Sequence, residues 1–238
     1  MKQLVCEMCG GTDLIKQDGV FVCQSCGCKY SVEEARKMMI EGTVDVSGST
    51  VKVDSSDRVE NLLLLARRAR NDKNGKDAEK YYSEVLSYEP NNYEAQFYSL
   101  YYSARNCTIG EIESKAYLIY NGLSSVLELI ENNVPEEKKK NAYTEVLLGT
   151  LEISVILADA SDNTFKNSSY RNRLTDYSDR IKPIIMTINF AAYVAEKTVD
   201  DVKLAEYILD EGAKNIQFKV YAEILENRLL DLKKRHNI

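Results

Sequence analysis

The 238-residue chain has one histidine, three prolines and no tryptophan, and it carries no surplus of positive charge. Each shortage removes a class of function. The histidine, His236, stands two residues from the end behind Lys233, Lys234 and Arg235, so a histidine acid–base pair or a Ser-His-Asp triad has no member to build on. Neither G-x-x-x-x-G-K-[ST] nor G-x-G-x-x-G occurs, which leaves no glycine loop to cradle a phosphate. An enzyme is not expected. The net charge of -6 disfavours nonspecific attraction to nucleic acid or to an anionic membrane. The longest weakly polar run, residues 184–195, contains Thr187 and Asn189 and is far shorter than the ~20 residues a spanning helix needs. One lysine and no apolar stretch precede Cys6, so no secretory signal is visible and a cytoplasmic protein with reduced thiols is expected.

Cysteine is the exception to this sparseness, because five of the six lie between residues 6 and 30. Cys6 and Cys9 form one C-x-x-C pair, and Cys23 and Cys26 form a second. Two such pairs suit one tetrahedral zinc ion with thiolates at ~2.3 Å. Between them, Leu14-Ile15 and Val20-Phe21-Val22 are β-favouring runs flanking Asp18-Gly19, a pair suited to a type I′ hairpin turn. The hairpin returns the second pair to the first. Gly10 and Gly27 follow the second cysteine of each pair, where φ > 0 lets backbone N–H groups turn toward the sulfurs. Disulfides would need an oxidising compartment and a redox C-x-x-C would need a βαβ setting, and neither is indicated. Four thiolates close the shell and leave no open position for an activated water, so the zinc is read as structural, with Cys28 outside the ligand set. Cys107, in an Asn-Cys-Thr stretch far from the others, reads as a small packing residue.

The C-x-x-C-G units at Cys6-Cys9-Gly10 and Cys23-Cys26-Gly27, set around a hairpin, resemble the zinc ribbon of the transcription-factor-IIB type over roughly the first 30 residues. Such ribbons occur in transcription and ribosomal proteins and in many bacterial proteins, so the resemblance implies a zinc fold and not one role. Residues 1–42 hold five basic against six acidic side chains, whereas a phosphate-binding ribbon should be basic. Ser31 and Glu34 form a capping box ahead of Val32, Ala35, Met38 and Met39, with Gly42 closing the helix. That helix is expected to lid the ribbon.

Residues 42–56 alternate valine with Thr, Asp, Ser and Lys around Ser47-Gly48-Ser49, the composition of a flexible linker. The predicted organisation is therefore a ribbon over 1–41, a linker over 42–56 and an all-α domain over 57–238. In the last, Leu62, Leu65, Ala66 and Ala69 form one stripe, with Arg67, Arg68 and Arg70 outside it. Asn74-Gly75 breaks the helix, and Ala78, Tyr81, Tyr82, Val85 and Leu86 form a second stripe ending before Pro90. Leu62, Leu65-Ala66, Ala78, Tyr82 and Pro90 resemble the tetratricopeptide pattern over one repeat. Ala69 stands where that pattern has an aromatic, and a second copy near Tyr93 keeps Ala95 without the leucine-small pair. Further helices are predicted at 93–105, 110–132, 136–160, 170–197, 200–211 and 216–235, with a polar loop at 161–169 and Pro183 kinking or splitting its helix. The fold class is a small β zinc ribbon plus a larger all-α, helical-repeat-like domain.

Seven of the sixteen tyrosines fall between residues 81 and 102, and tyrosine favours interfaces because it joins apolar area to a polar tip. A partner groove is expected from Arg67, Arg70, Tyr81, Tyr98, Tyr101 and Tyr102, with at least two of the tyrosines exposed together. The functional expectation is a zinc-stapled adaptor that binds another protein through its helices. The alternative is a transcriptional regulator whose ribbon meets a polymerase or nucleic acid.

Overall fold

The computed structural model describes residues 6, 8, 12–17, 19–34, 56–169 and 173–238, the side chains of 56 and 57 excepted. Contacts divide the chain into two compact units, residues 1–53 and 54–238.

In the first unit, the β-favouring runs become β1 (Leu14–Gln17) and β2 (Val20–Cys23), followed by β3 (Lys29–Tyr30). They form an antiparallel sheet in the order β1-β2-β3. Leu14 lies opposite Cys23 and Phe21 opposite Tyr30. Gly19 at the hairpin has φ +85°, the left-handed conformation that glycine tolerates best. Asp18 and Gly10 lie outside the described residues. β3 has no counterpart in the sequence reading, because two residues are too few for a periodic signal. Residues 32–34 are helical, and the capping box is formed: Ser31 N donates to Glu34 Oε2 at 2.8 Å, and Glu34 N donates to Ser31 Oγ at 3.2 Å. The predicted remainder of that helix and linker residues 42–55 lie outside the described residues.

The second unit contains, among the described residues, eight α-helices. They are α1 (Ser56–Asn71), α2 (Gly75–Tyr88), α3 (Tyr93–Arg105), α4 (Ile112–Asn133), α5 (Glu136–Asn167), α6 (Arg173–Lys197), α7 (Val202–Lys214) and α8 (Lys219–His236), with a 3-10 turn at Ile109–Glu111 before α4. Side-chain caps explain several starts. Asn74, Asn92 and Asp201 accept from the backbone N–H of Asp77, Ala95 and Leu204, relieving donors with no intrahelical partner. Successive helices pack as hairpins, while α3–α5–α7 and α4–α6–α8 also pack in series. The result is an odd-numbered layer and an even-numbered layer, with Tyr82, Phe97, Leu123, Leu147, Ile188 and Ile208 fully buried in the core. On the α3–α5 seam the Phe97 ring occupies the place of an absent side chain, since a Cβ on Gly149 would lie 2.7 Å from Phe97 Cε1.

Three sequence expectations are corrected. The 161–169 loop is helical through Asn167, because Ser161, Thr164 and Asn167 bond back to carbonyls four residues earlier instead of breaking the helix. Pro183 stays inside α6 without splitting it. The buried stripe of α1 is Val59, Leu62, Ala66 and Ala69, and Leu65 on its flank is 41% exposed. Among the acidic residues on the helices, Glu94, Asp162 and Glu196 are buried.

Candidate functional site

The hairpin and the turn after β2 gather cysteines around a small core of Cys6, Cys23 and Tyr30, with Leu14, Phe21 and Cys28 packed against it. The sulfurs of Cys6, Cys23 and Cys26 all lie within 4.8 Å of one another, close enough to hold a metal ion. Cys6 Sγ and Cys26 Sγ are 3.6 Å apart. Two thiolates ~2.3 Å from a tetrahedral ion stand about 3.8 Å apart, whereas a disulfide needs ~2.05 Å. The spacing fits a shared metal and excludes that bond. Gly27 takes φ +74°, and its N–H closes on Cys23 O at 2.8 Å, which folds Cys26 back toward Cys23. Cys9, the predicted fourth ligand, lies outside the described residues. Cys28 is half-buried beside the cluster, where its carbonyl accepts the Cys23 N–H at 2.9 Å.

Tyr30 is a site residue the sequence reading missed. Its Oη lies 3.0 Å from Cys6 Sγ, placed there by the pairing of β3 with Phe21. The bond to Cys6 and burial push the phenol up to about 12, so it remains a donor toward the thiolate at neutral pH. A donor of this kind orients a ligand and holds negative charge on its sulfur. Tyr30→Phe is expected to release bound metal about tenfold faster to a competing chelator, with the secondary structure retained. A release rate equal to that of the unaltered chain would remove Tyr30 from the site.

The predicted groove residues separate into three settings. Arg67 grips the buried Glu94 of α3 with two hydrogen bonds, 2.8 Å and 2.5 Å, and Tyr82 Oη donates to the same carboxylate at 3.1 Å. Arg67 is therefore a strut between α1 and α3. Arg70 lies 4.4 Å over the Tyr98 ring, and both donate to Glu145 Oε1 of α5 at 2.8 Å and 2.7 Å. Burial first, and then the bond to Glu145, raises the Tyr98 phenol far above its usual range, so it stays protonated. Tyr81 is partly buried on α2 and borders neither of the cavities below.

The expectation of two exposed tyrosines is overturned. None of the seven is exposed: Tyr82, Tyr98, Tyr101 and Tyr102 are buried, the last three by mutual ring packing, and Tyr81, Tyr88 and Tyr93 are partly buried. The remaining edges of Tyr98, Tyr101 and Tyr102 line a cavity of about 450 Å³ together with Arg70, Asn71, Lys73, Arg105 and Glu152. A second cavity of about 550 Å³ begins at Arg105 and Glu152 and continues over Leu148 and Tyr207 to Glu211. The two adjoin at Arg105 and Glu152 and are taken together as a groove lined from α1, α3, α5 and α7. The signal that could have found it is the arginine-tyrosine spacing at the C-terminal end of α3, where Arg105 follows Tyr101 by one helical turn.

No described helix is long and apolar enough to cross a membrane. Comparison with protein-family models, curated proteins and solved structures finds no match to this chain.

Proposed function

We propose that the first unit is a zinc ribbon whose ion, held by Cys6, Cys9, Cys23 and Cys26, is structural, and that the helical unit is a tetratricopeptide-like adaptor docking another protein in its odd-layer groove. The groove carries this reading. It crosses four helices, and an extended surface assembled from stacked helical hairpins suits a peptide or helix better than a small metabolite. Zinc is favoured by the thiolate donor set and by the 3.6 Å sulfur spacing. A full thiolate shell would supply folding energy and no Lewis-acid site. The nucleic-acid alternative, in which the ribbon makes the contact, is weaker, because residues 1–42 hold five basic against six acidic side chains where a phosphate-binding ribbon should be basic.

The test places a photo-cross-linking residue in the full chain at Tyr207, which is half-exposed in the groove, and as a control at Tyr193, half-exposed on α6 of the other layer. A protein adduct specific to position 207 is expected. Equal labelling at both positions, or adducts to RNA alone, would overturn the adaptor function.

A further inference from the structure

The groove's electrostatics define what kind of segment it takes. The 450 Å³ cavity presents three cations, Arg70, Lys73 and Arg105, against one lining carboxylate, Glu152. That is a local positive excess on a chain whose net charge is -6. Arg70 is already satisfied by Glu145. Lys73 and Arg105 form no ion pair among the described residues, and the Arg105 guanidinium makes only a 3.5 Å contact to Tyr101 Oη. Burial raises the Tyr102 phenol above its usual range, and among the described residues its hydroxyl has no hydrogen-bond partner. Lys73, Arg105 and Tyr102 thus supply donors to one cavity that supplies few acceptors.

Lys73 adds a conformational oddity. It sits just past α1 with φ +58°, the left-handed position at a helix end that glycine normally fills. A lysine there is strained, and glycine would relieve the backbone. The strain makes its charge separable from its structural part.

Beyond Arg105 the groove becomes apolar, with Leu148 and Tyr207 among its exposed large side chains. Glu152 and Glu211 border this stretch. A polyanion would be repelled there, while a single carboxylate beside an apolar residue would not. Resting on the adaptor reading, we propose that the groove binds an acidic peptide segment. One Asp or Glu carboxylate accepts from Arg105, Lys73 and Tyr102, and a neighbouring apolar side chain lies on Leu148 and Tyr207. Charge-assisted bonds to Arg and Lys fix the register, and the apolar step selects the flanking residue.

The experiment pans a random dodecapeptide phage library against the full, zinc-loaded chain, then measures enriched peptides by fluorescence anisotropy with Lys73→Gly and Arg105→Gln variants. Enrichment of an acidic residue next to an apolar one is expected. Each variant should weaken binding about tenfold, and Lys73→Gly should melt no lower than the unaltered chain. Enriched peptides without an acid, or an affinity in both variants equal to that of the unaltered chain, would overturn the acidic specificity and leave the adaptor reading standing. No enrichment, or stronger binding of polyuridylate with a steep salt dependence, would overturn both.

Discussion

Cys23→Ser is expected to abolish metal binding and unfold the first unit while leaving the melting midpoint and helical ellipticity of the second nearly unchanged. The physical ground is the size of the first unit's core. Among its described residues only Cys6, Cys23 and Tyr30 are buried, and a stretch this small removes too little apolar surface to offset its chain entropy. Metal ligation must supply the difference, on the order of 10 kcal/mol for a thiolate-rich zinc site. Cys23 is fully buried and shares the sulfur cluster with Cys6 and Cys26, so losing its thiolate removes a ligand and opens the core at once. Cys28→Ser, by contrast, should retain one zinc per chain. Elemental analysis under reducing conditions, with circular dichroism before and after chelation, checks each part. A zinc content near zero in the unaltered chain would end the zinc reading, and a large loss of helicity on chelation would end the independence of the units.

The second large effect is a pH-dependent contribution from Glu196 at the end of α6. Burial alone would raise this carboxyl, but His236, Lys197 and Arg235 outweigh burial and bring it down to about 2 from 4.5. Lys197 Nζ and His236 Nε2 each lie 3.0 Å from its Oε1, and Arg235 Nη1 bonds the same oxygen. Glu196 is 5% exposed, but the side chains of Lys197, Arg235 and His236 are 49%, 38% and 34% exposed, so solvent screens the cluster in part. Because the folded value lies below the unfolded one, the stabilisation is complete above about pH 4.5 and is lost as pH falls toward 2. A shift of this size corresponds to about 3 kcal/mol. Glu196→Gln should therefore be less stable than the unaltered chain at pH 7, by about 1–2 kcal/mol once solvent screening of the exposed partners is allowed for, with the two converging as pH approaches 2. Urea unfolding at several pH values measures the gap. A gap independent of pH would show that the carboxylate charge is not what holds α8 to α6.

The cysteine cluster was legible because its signal is local: cysteine spacing, a turn glycine and two short β runs lie within one stretch of chain. The helices were legible wherever apolar residues recur at three and four, as in Leu62, Ala66 and Ala69. Polarity misled at Ser161–Asn167, where serine, threonine and asparagine bond to their own helix. The groove was only half legible. Tyrosine and arginine enrichment pointed to α1 and α3, but whether a ring faces a neighbour or a cavity depends on a helix 40 or more residues away, as the Tyr98–Glu145 and Arg70–Glu145 bonds show. No periodicity within one helix carries that information. Arg105, Lys73 and Tyr207 were missed for the same reason.

The bare backbone at Gly149 bears on the calibre of the groove. Arg105 of α3 and Glu152 of α5 border both cavities, and these two helices close on each other where Phe97 presses against position 149. One hydrogen atom in place of a methyl group therefore acts as the spacer at the seam where the cavities meet. A bulkier residue would act as a shim, prising α3 from α5 and widening the slot without altering a single side chain that lines it.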